Sequence, residues 1–458
     1  MRRLAALLLT VSAVAGAELR VGAGAAKITP PPGAPMAGYY YNRAASGVHD
    51  DLWAKAIVLE ADGARAAIVA CDISGLPRPI IDQARREIER NPGIPPERVM
   101  ISATHTHTGP VVLSGPTRYN LQGDMLRIGE QYAADLPKMI AEAVRKAASA
   151  LTPARVAAGR GREDSLTFNR RFHMKNGTVG WNPGKLNPNI VRPAGPIDPD
   201  VPVVYFDTPK GDAVAVHVNY ALHLDTVGGA EYSADYPYSL SRLLSDAKGR
   251  DMLTLFTNGC AGNLNHVDVA WADKQKGHSE AARIGTVLAA EVLKTMKRLD
   301  ALPAGSLRAR SAMLALPLPE VRPQDLEWAR KITPTFGTPQ AAPFMDLVRA
   351  FKFVDVAGRN GAPLEAEVQV IALGDQLAWI GLPGEIFTEH GLAIKTASPF
   401  RYTVVSELAN GSIGYVPNRK AYPEGAYEPE SARCGPGSGE MMVEAAVRML
   451  IDLADRRP

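Results

Sequence analysis

The sequence predicts an α/β fold, with mixed α+β layers in a single large domain. Apolar, strand-like runs recur along the chain and amphipathic helical stretches lie between them, without strict strand–helix–strand alternation. Hydrophobic residues make up 46% of the sequence and charged residues 22%, which is ordinary for a globular protein. No clear linker divides the 458 residues, so we expect one folded unit over 18–458, with insertions.

The individual elements follow from the hydrophobic period and from turn signals. Apolar runs predict strands over 53–60, 66–71, 99–103, 201–207, 213–221 and 253–257. Amphipathic stretches predict helices over 79–90, 131–151, 279–299 and 439–455. A turn at Gly374-Asp375 predicts a hairpin between 368–373 and 376–382. The Pro-rich stretch 307–363 is expected to form an inserted or lid-like segment.

The first 17 residues have the pattern of a secretory signal peptide. The basic start Met1-Arg2-Arg3 precedes an apolar stretch of about a dozen residues, which is too short for a typical membrane span. Ala15-Gly16-Ala17 then gives the small-x-small pattern of a cleavage site. We expect a mature chain that begins at Glu18 and is secreted or periplasmic, with an uncleaved N-terminal anchor as the alternative. No later stretch of the sequence is expected to span a bilayer.

Charge and cysteine content argue against several classes of protein. Without Arg2 and Arg3 the chain has 49 basic against 48 acidic residues, a net charge of about +1. Nucleic-acid binding needs a clustered basic face, and purely electrostatic membrane binding needs excess cations, so we expect neither. Cys71, Cys260 and Cys434 are too few for a disulfide scaffold. Most of them are expected to be buried thiols, although one bridge with a thiol left over stays open.

The most informative motif is a pair of histidines two residues apart. His105 and His107 follow the expected strand over 99–103 and precede the turn signal Gly109-Pro110. Residues i and i+2 of an extended chain point to the same side, so two imidazoles emerge together from the carboxyl end of a strand. Ligand sites of α/β proteins form at such ends. The pair suits a metal ligand beside a catalytic group, while a structural pair has the same spacing.

Four further apolar runs end in polar, Gly-rich or Pro-rich sequence. His223 ends the first and is a candidate ligand, whereas His217 lies mid-strand and is expected to be a hydrogen-bonded core histidine. The second run ends in an Asn/Gly-rich loop over 258–265. Glu385 follows Pro-Gly and is expected to open a helix, where a carboxylate either ligates a metal or only stabilises the helix. The fourth leads into a Gly/Pro-rich loop with tyrosines at positions 415, 422 and 427.

Together these segments make the chain similar to the neutral ceramidase family, specifically to its N-terminal catalytic domain. The first shared features are a Gly-rich opening that ends in Ile-Thr-Pro at 21–30, the Ser-Ala-Thr-His-Thr-His stretch within 102–110, and an Asn-Arg pair at 169–170. The others are a Ser-x-Asp loop at 233–235, Pro-Gly-Glu at 383–385, and a tyrosine series spaced Asn-x4-Tyr-x6-Tyr-x4-Tyr-Glu at 410–428. The resemblance thus spans nearly all of 18–458.

The resemblance implies a secreted zinc-dependent hydrolase that cleaves an amide (N-acyl) bond with metal-activated water, as in sphingolipid metabolism. It implies four ligands for one Zn²⁺ ion: His105, His223, Glu385 and Tyr415. Nitrogen and oxygen donors with an added water suit a catalytic zinc site. By the same resemblance, His107 acts as the acid–base group, Tyr427 donates to the oxyanion, and Arg170 lies near the substrate head group.

Departures from the family pattern concern the substrate. Ceramide-cleaving members carry a C-terminal β-sandwich domain, which this chain is expected to lack. Ala261 stands where those members have an aspartate, and Arg171-Phe172-His173 continues the Arg170 segment differently. We therefore expect a small-molecule or lipid substrate and keep two alternatives. One is the same metal site acting on an ester or glycosidic bond of a soluble substrate; the other is a non-catalytic extracellular binding protein on this scaffold.

Overall fold

The computed structural model describes residues 18–115, 119 and 121–454 and confirms the mixed α/β class. The expected signal peptide over 1–17 lies outside the described residues. Three main sheets form the framework, and helices cover the outer face of each. Within the described part of the chain, no helix is both long and apolar enough to cross a membrane.

The first sheet has five strands and carries the histidine pair at one of its ends. Its order is Val99–Ala103, Ala64–Cys71, Trp53–Ala61, Arg20–Lys27 and Thr152–Pro153. Val99–Ala103 runs parallel to Ala64–Cys71, and the other neighbours are antiparallel. The helices Arg78–Arg90 and Gly123–Ser149 bury their apolar faces against this sheet.

The Gly-rich opening of the chain has a packing function in this first sheet. Gly22 and Gly24 lie in the strand Arg20–Lys27, directly under the helix Gly123–Ser149. A Cβ at Gly22 would stand only 2.0 Å from the Ala147 carbonyl oxygen. The absence of side chains at these two positions therefore lets the helix backbone approach the sheet.

The second sheet also has five strands, and His223 lies just after the carboxyl end of one of them. Its order is Leu253–Asn258, Ala213–Tyr220, Asp200–Asp207, Arg155–Arg162 and Asp300–Leu302. Ala213–Tyr220 runs parallel to Leu253–Asn258, while the remaining pairs are antiparallel. The helices Tyr236–Lys248 and His278–Thr295 cover its outer face.

The third sheet has four strands and precedes Glu385. Its order is Leu307–Leu316, Leu364–Leu373, Leu377–Gly381 and Tyr402–Ser406. The expected hairpin is present, since Leu364–Leu373 and Leu377–Gly381 pair antiparallel around Gly374-Asp375. The helices Thr388–Ala397 and Ser438–Ala454 pack on its outer face.

The stretch 307–363 divides into two parts. Leu307–Leu316 is a strand of the third sheet, so this part belongs to the framework. The remainder contains the helices Pro323–Ile332 and Phe344–Ala357, which pack against each other. Phe351 of the second helix joins a small apolar cluster with Val111, a residue that follows the histidine pair. The two helices therefore lie beside the segment that carries the candidate site.

Shorter elements complete the fold. A small sheet has the strand order Val179–Trp181, Arg171–Met174 and Ile190–Pro193. Three pairs of two-residue strands accompany it: Gly47–Val48 with Glu231–Tyr232, Phe168–Asn169 with Leu264–Asn265, and Glu385–Ile386 with Tyr415–Val416. The short helical turns are Ala421–Glu424, Tyr427–Ser431, Pro96–Arg98, Met296–Arg298 and Thr333–Thr335.

The inner faces of the three sheets share one apolar core. Ile57, Phe206 and Trp379, one from each sheet, are essentially inaccessible to solvent within it. His217 also lies there, with Trp379 Nε1 donating to its Nδ1 at 3.0 Å and its Nε2 2.8 Å from Thr257 Oγ1. The expectation of a hydrogen-bonded core histidine at 217 is therefore confirmed.

Candidate metal centre

Strand ends from all three main sheets meet at one place. His105 and His107 follow Val99–Ala103, and His223 follows Ala213–Tyr220. Glu385 follows Leu377–Gly381 in the third sheet. Each of these strands has a parallel neighbour, and ligand sites in such sheets lie outside the carboxyl ends of the strands.

The three histidines form a buried cluster. His105 Nε2 lies 3.0 Å from His223 Nε2 and 3.4 Å from His107 Nε2. One ring nitrogen from each histidine falls within 4.8 Å of the others. Burial lowers the pKa of His107 to about 4, although Asp225 opposes the shift, and burial lowers the pKa of His223 as well. Neutral imidazole is the form that ligates metals, so this cluster could hold a metal ion.

The backbone and a hydrogen bond fix the orientation of His105. Its Nδ1–H donates to the Ser74 carbonyl oxygen at 2.6 Å, which leaves the lone pair on Nε2, the nitrogen that faces the cluster. Its φ of +79° lies in the left-handed region, which non-glycine residues seldom adopt. Backbone strain of this kind concentrates at functional sites.

Glu385 presents an unpaired carboxylate oxygen to the histidines. Its Oε2 lies 3.4 Å from His105 Nε2 and 3.9 Å from His223 Nε2, yet it is buried without a hydrogen-bond partner among the described residues. Burial alone would raise the pKa of Glu385, but His105 and the hydrogen bond from Tyr415 help to lower it to about 2. The carboxylate is therefore ionised, and a cation between it and the imidazoles would satisfy Oε2.

The expectation that Glu385 opens a helix is wrong. Glu385–Ile386 is a short strand that pairs in parallel with Tyr415–Val416, and the next helix begins only at Thr388. The Glu385 N–H donates to the Gly414 carbonyl oxygen at 2.9 Å, as in a sheet. Strand pairing therefore places Glu385 directly opposite Tyr415. No helix N-terminus stabilises the negative charge of the Glu385 carboxylate.

Arg170 lies behind Tyr415. Its Nη2 donates to the Tyr415 hydroxyl at 3.0 Å and to the Gly262 carbonyl oxygen at 2.7 Å, while its Nε donates to Glu428 at 2.8 Å. The Tyr415 hydroxyl is in turn hydrogen-bonded to Glu385. Burial raises the pKa of Tyr415, and the adjacent guanidinium counteracts part of that rise. Arg170 is not among the described residues that line the neighbouring cavity.

A cavity of about 510 Å³ opens beside the cluster. The sequence-predicted site residues that line it are His105, His107, Glu385, Tyr415 and Tyr427. The Tyr427 ring packs 4.5 Å from the Trp181 ring and 5.5 Å from that of Phe344, at the start of the helix Phe344–Ala357. Residues of the histidine cluster and Tyr427, the expected oxyanion donor, therefore line the same cavity.

Sequence reasoning gave no role to Asp225, which lies beside His107. Asp225 Oδ1 is 3.6 Å from His107 Nδ1, and the Tyr39 hydroxyl donates to the same carboxylate oxygen. A carboxylate behind an imidazole orients the ring and stabilises its protonated form. The sequence signal that could have identified Asp225 is its position two residues after His223.

Two further carboxylates hold the ligand-bearing segments in place. Asp235 Oδ2 accepts from the Thr226 and Val227 amides, both at 2.9 Å, which fixes the segment after His223. Glu407 was missed by the sequence reasoning, since a single glutamate at a strand end gives no distinctive signal. Its Oε2 accepts from the Ile386 amide at 2.7 Å, directly after Glu385.

The cysteines lie outside this arrangement. Cys71, Cys260 and Cys434 are all buried free thiols, so no disulfide forms among the described residues. Tyr422, the middle member of the tyrosine series, donates to the Cys434 carbonyl oxygen at 2.8 Å. That hydroxyl therefore stabilises a loop and does not face the histidine cluster.

Fold and site define a mixed α/β protein with a buried cluster suited to a metal ion. Residues 19–177 match the family described as neutral/alkaline non-lysosomal ceramidase, N-terminal. Neutral ceramidase from Pseudomonas aeruginosa is 24% identical over 90% of this chain and 68% of that protein. The chain is thus a distant homologue of the neutral/alkaline ceramidases, as its motifs predicted.

Solved structures confirm the fold. The crystal structure of neutral ceramidase from Pseudomonas aeruginosa matches with a TM-score of 0.75 and 22% identity, over 96% of this chain and 75% of that one. A ceramidase complexed with C2 matches with the same TM-score and identity, over 96% of this chain and 76% of that one. At this identity the structural match establishes the architecture, and the chemistry must be argued from the site.

Proposed function

We propose that this protein is a zinc-dependent hydrolase that cleaves the amide bond of an N-acyl compound. The observation that carries the proposal is the buried, unpaired Glu385 Oε2 facing the Nε2 atoms of His105 and His223. An ionised buried oxygen without a partner is costly unless a cation accompanies it. The distant homology to neutral ceramidase supports hydrolysis of an amide, as in that relative.

The ligand set that we propose is His105, His223, Glu385 and Tyr415. These two nitrogen and two oxygen donors suit Zn²⁺, and the cavity leaves room for water and substrate. His107 also belongs to the cluster, but its side chain is 12% exposed against 6% for His105 and 2% for His223. We therefore assign His107 to the substrate side.

A zinc ion bound here would supply an activated water and polarise the scissile carbonyl. His107, neutral near pH 7, accepts a proton from the attacking water and passes it to the leaving amine. Asp225 stabilises the imidazolium during that transfer. The Tyr427 hydroxyl donates to the carbonyl oxygen as negative charge develops there, and Arg170 places a fixed positive charge behind Tyr415.

Metal content and hydrolysis, measured in the same variants, test this proposal. Glu385→Ala and His223→Ala should lose bound zinc, and hydrolysis of a short-chain N-acylsphingosine or N-acyl arylamide with it. His107→Gln should keep zinc and lose roughly 100-fold or more in kcat, the usual contribution of an acid–base group. His278→Ala, at a partly exposed position outside the cluster, serves as the control.

Two results would overturn parts of this assignment. Full zinc content and full activity in Glu385→Ala would overturn the metal-dependent mechanism. Loss of zinc in His107→Gln would make His107 a ligand in place of an acid–base group.

A second candidate keeps the metal site but changes the bond: hydrolysis of an ester or glycosidic bond in a soluble substrate. The observation that favours it is a set of four serines in the cavity wall, at positions 74, 114, 412 and 431. A matched panel of amide, ester and glycoside substrates separates the candidates. Turnover of amides alone would exclude the second.

We further propose that the protein acts outside the cytoplasm, since its first 17 residues carry the signal-peptide pattern. N-terminal sequencing of the exported protein should begin at Glu18. Retention of the apolar stretch over 4–15 would instead indicate an anchor.

A further inference from the structure

Two cationic side chains belong to the wall of the candidate active-site cavity. Arg433 lies just beyond the short helix Tyr427–Ser431, and Arg359 lies just beyond the helix Phe344–Ala357. We propose that these two arginines bind an anionic group on the substrate, so that the N-acyl compound cleaved here carries a carboxylate or a similar charge. This inference rests on the proposed hydrolase function and names its substrate class.

Arg433 is held in place close to the candidate metal centre. Its Nε and Nη2 donate to Asp355 Oδ2 at 3.0 and 2.7 Å, and its Nη1 donates to the Ser431 carbonyl oxygen at 2.7 Å. A Cβ built on Gly414, the residue before Tyr415, would lie 3.8 Å from Arg433 Cδ. A guanidinium has five N–H donors, so these contacts orient Arg433 and leave donors for a ligand.

Arg359, unlike Arg433, forms no ion pair with a carboxylate of the described residues. Its Nε and Nη2 donate only to backbone carbonyl oxygens, those of Ala362 at 3.3 Å and Pro363 at 2.8 Å. Within the described part of the chain, no carboxylate lies at ion-pair distance from it. The described cavity wall has two carboxylates, Asp355 and Glu385. Glu385 faces the histidines, so Asp355 alone offsets the two guanidinium groups and their part of the wall keeps a net positive charge. In a partly desolvated cavity such a charge attracts an anion more strongly than it would in water.

The rest of the wall offers both hydroxyl-bearing and apolar side chains to a ligand. Four serines line it together with apolar residues that include Val111, Val112 and Leu364. The volume of about 510 Å³ lies within the range of small-molecule sites. A short acyl or aryl part can contact the apolar residues while the arginines receive the charged end.

A matched pair of substrates tests the inference. One is the 4-nitroanilide of a short dicarboxylic acid with its far end a free carboxylate, and the other has that end capped as a carboxamide. Because hydrogen bonds to charged groups contribute about 1.5–3 kcal/mol, the zinc-loaded protein should prefer the anionic anilide by roughly 10-fold or more in kcat/KM. Arg359→Gln and Arg433→Gln should each lower this preference at least several-fold.

The control is Arg349→Gln. Arg349 lies on the helix Phe344–Ala357, pairs with Asp346, and is not a lining residue of the described cavity. This variant should keep the wild-type preference. A preference that persists in both cavity-arginine variants would place the anion on the metal itself and overturn the inference. Equal turnover of the two anilides by the wild-type protein would overturn it as well.

Failure of the proposed function gives a different result. If the zinc-loaded protein hydrolyses neither anilide, the same two compounds become binding probes for calorimetry. Tighter binding of the anionic compound, lost in Arg359→Gln and Arg433→Gln, would keep the inference while the hydrolase proposal falls. Equal binding of both compounds would reject the inference independently of catalysis.

Discussion

Arg170 Nε donates to Glu428 Oε1 at 2.8 Å, and both side chains are buried directly behind the candidate metal ligand Tyr415. Arg171 Nη1 donates to the other Glu428 oxygen at 3.0 Å, so one carboxylate fixes two neighbouring arginines. This network links the Asn-Arg segment to the end of the tyrosine series. It also holds a positive charge against the Tyr415 hydroxyl.

Arg170→Met should therefore destabilise the protein. Removal of one partner from a buried ion pair leaves uncompensated charge and costs about 3–5 kcal/mol; Arg171 still pairs with Glu428, so we expect the lower end of that range. Urea unfolding of the zinc-free protein measures the change. Arg349→Met, which breaks a more exposed ion pair, should cost at most about 1 kcal/mol. Equal losses in the two variants would contradict the structural importance of the Arg170–Glu428 pair.

Glu407→Ala should weaken zinc binding without removing a ligand. Glu407 is fully buried and receives hydrogen bonds from the Ile386 amide and from Asn258 Nδ2, so it joins the Glu385 strand to the end of the strand Leu253–Asn258. Loss of groups that orient ligands typically costs 10–100-fold in metal affinity. Competition with a chelator gives the dissociation constant, and exposed Glu365→Ala is the control. An unchanged zinc affinity would show that Glu407 does not position Glu385.

Gly38→Ala should displace His107 and spare the zinc ion. Gly38 has a φ of +101°, and a Cβ there would stand 2.6 Å from the His107 carbonyl oxygen. A shift of about 1 Å in a catalytic group can cost roughly 100-fold in rate, so kcat should fall by about that factor with zinc content unchanged. Gly63→Ala is a matched control, because Gly63 also has a positive φ but nothing described lies within 4 Å of its Cβ position. Similar kcat values in the two variants would contradict the assignment of His107.

His217 should make stability fall in acid. Burial lowers its pKa to about 3, whereas an unfolded chain has a histidine pKa near ~6.5. The unfolded state therefore binds the extra proton first, and the stabilisation present above pH ~6.5 is lost as the pH falls toward 3. His217→Gln should reduce the slope of unfolding free energy against pH by about 1.4 kcal/mol per pH unit in that window. Parallel urea-unfolding curves for the two zinc-free proteins would show that His217 does not titrate this way.

The sequence predicts short motifs well when their geometry depends only on neighbouring residues. The strand over 99–103 and the spacing of His105 and His107 determine that both rings leave one strand end, and the structure places them there. The resemblance implied Glu385 as a metal ligand, and its carboxylate does face the histidines, whereas the helix expected to begin there is wrong. Its actual conformation depends on pairing with Tyr415, 30 positions away in sequence, which no local pattern encodes.

Non-local contacts account for what the sequence did not predict. The approach of Asp225 to His107 requires the first and second sheets to pack side by side. The long helix, expected over 131–151, begins at Gly123 and ends at Ser149. Its first turns include Gly123 and Gly129, which disfavour helix, and Gly129 packs tightly against Pro35, so packing outweighs local propensity there. Arg359 and Arg433 reach one cavity only because the helix Phe344–Ala357 lies over the candidate site.

The most direct test of the central claim is a zinc titration of the metal-free protein, with amide hydrolysis as the readout. If His105, His223, Glu385 and Tyr415 form one catalytic zinc site, activity should rise in proportion to added zinc and reach a plateau at one ion per chain. Hydrolysis that proceeds equally well in excess chelator, or that shows no dependence on added zinc, would contradict the account.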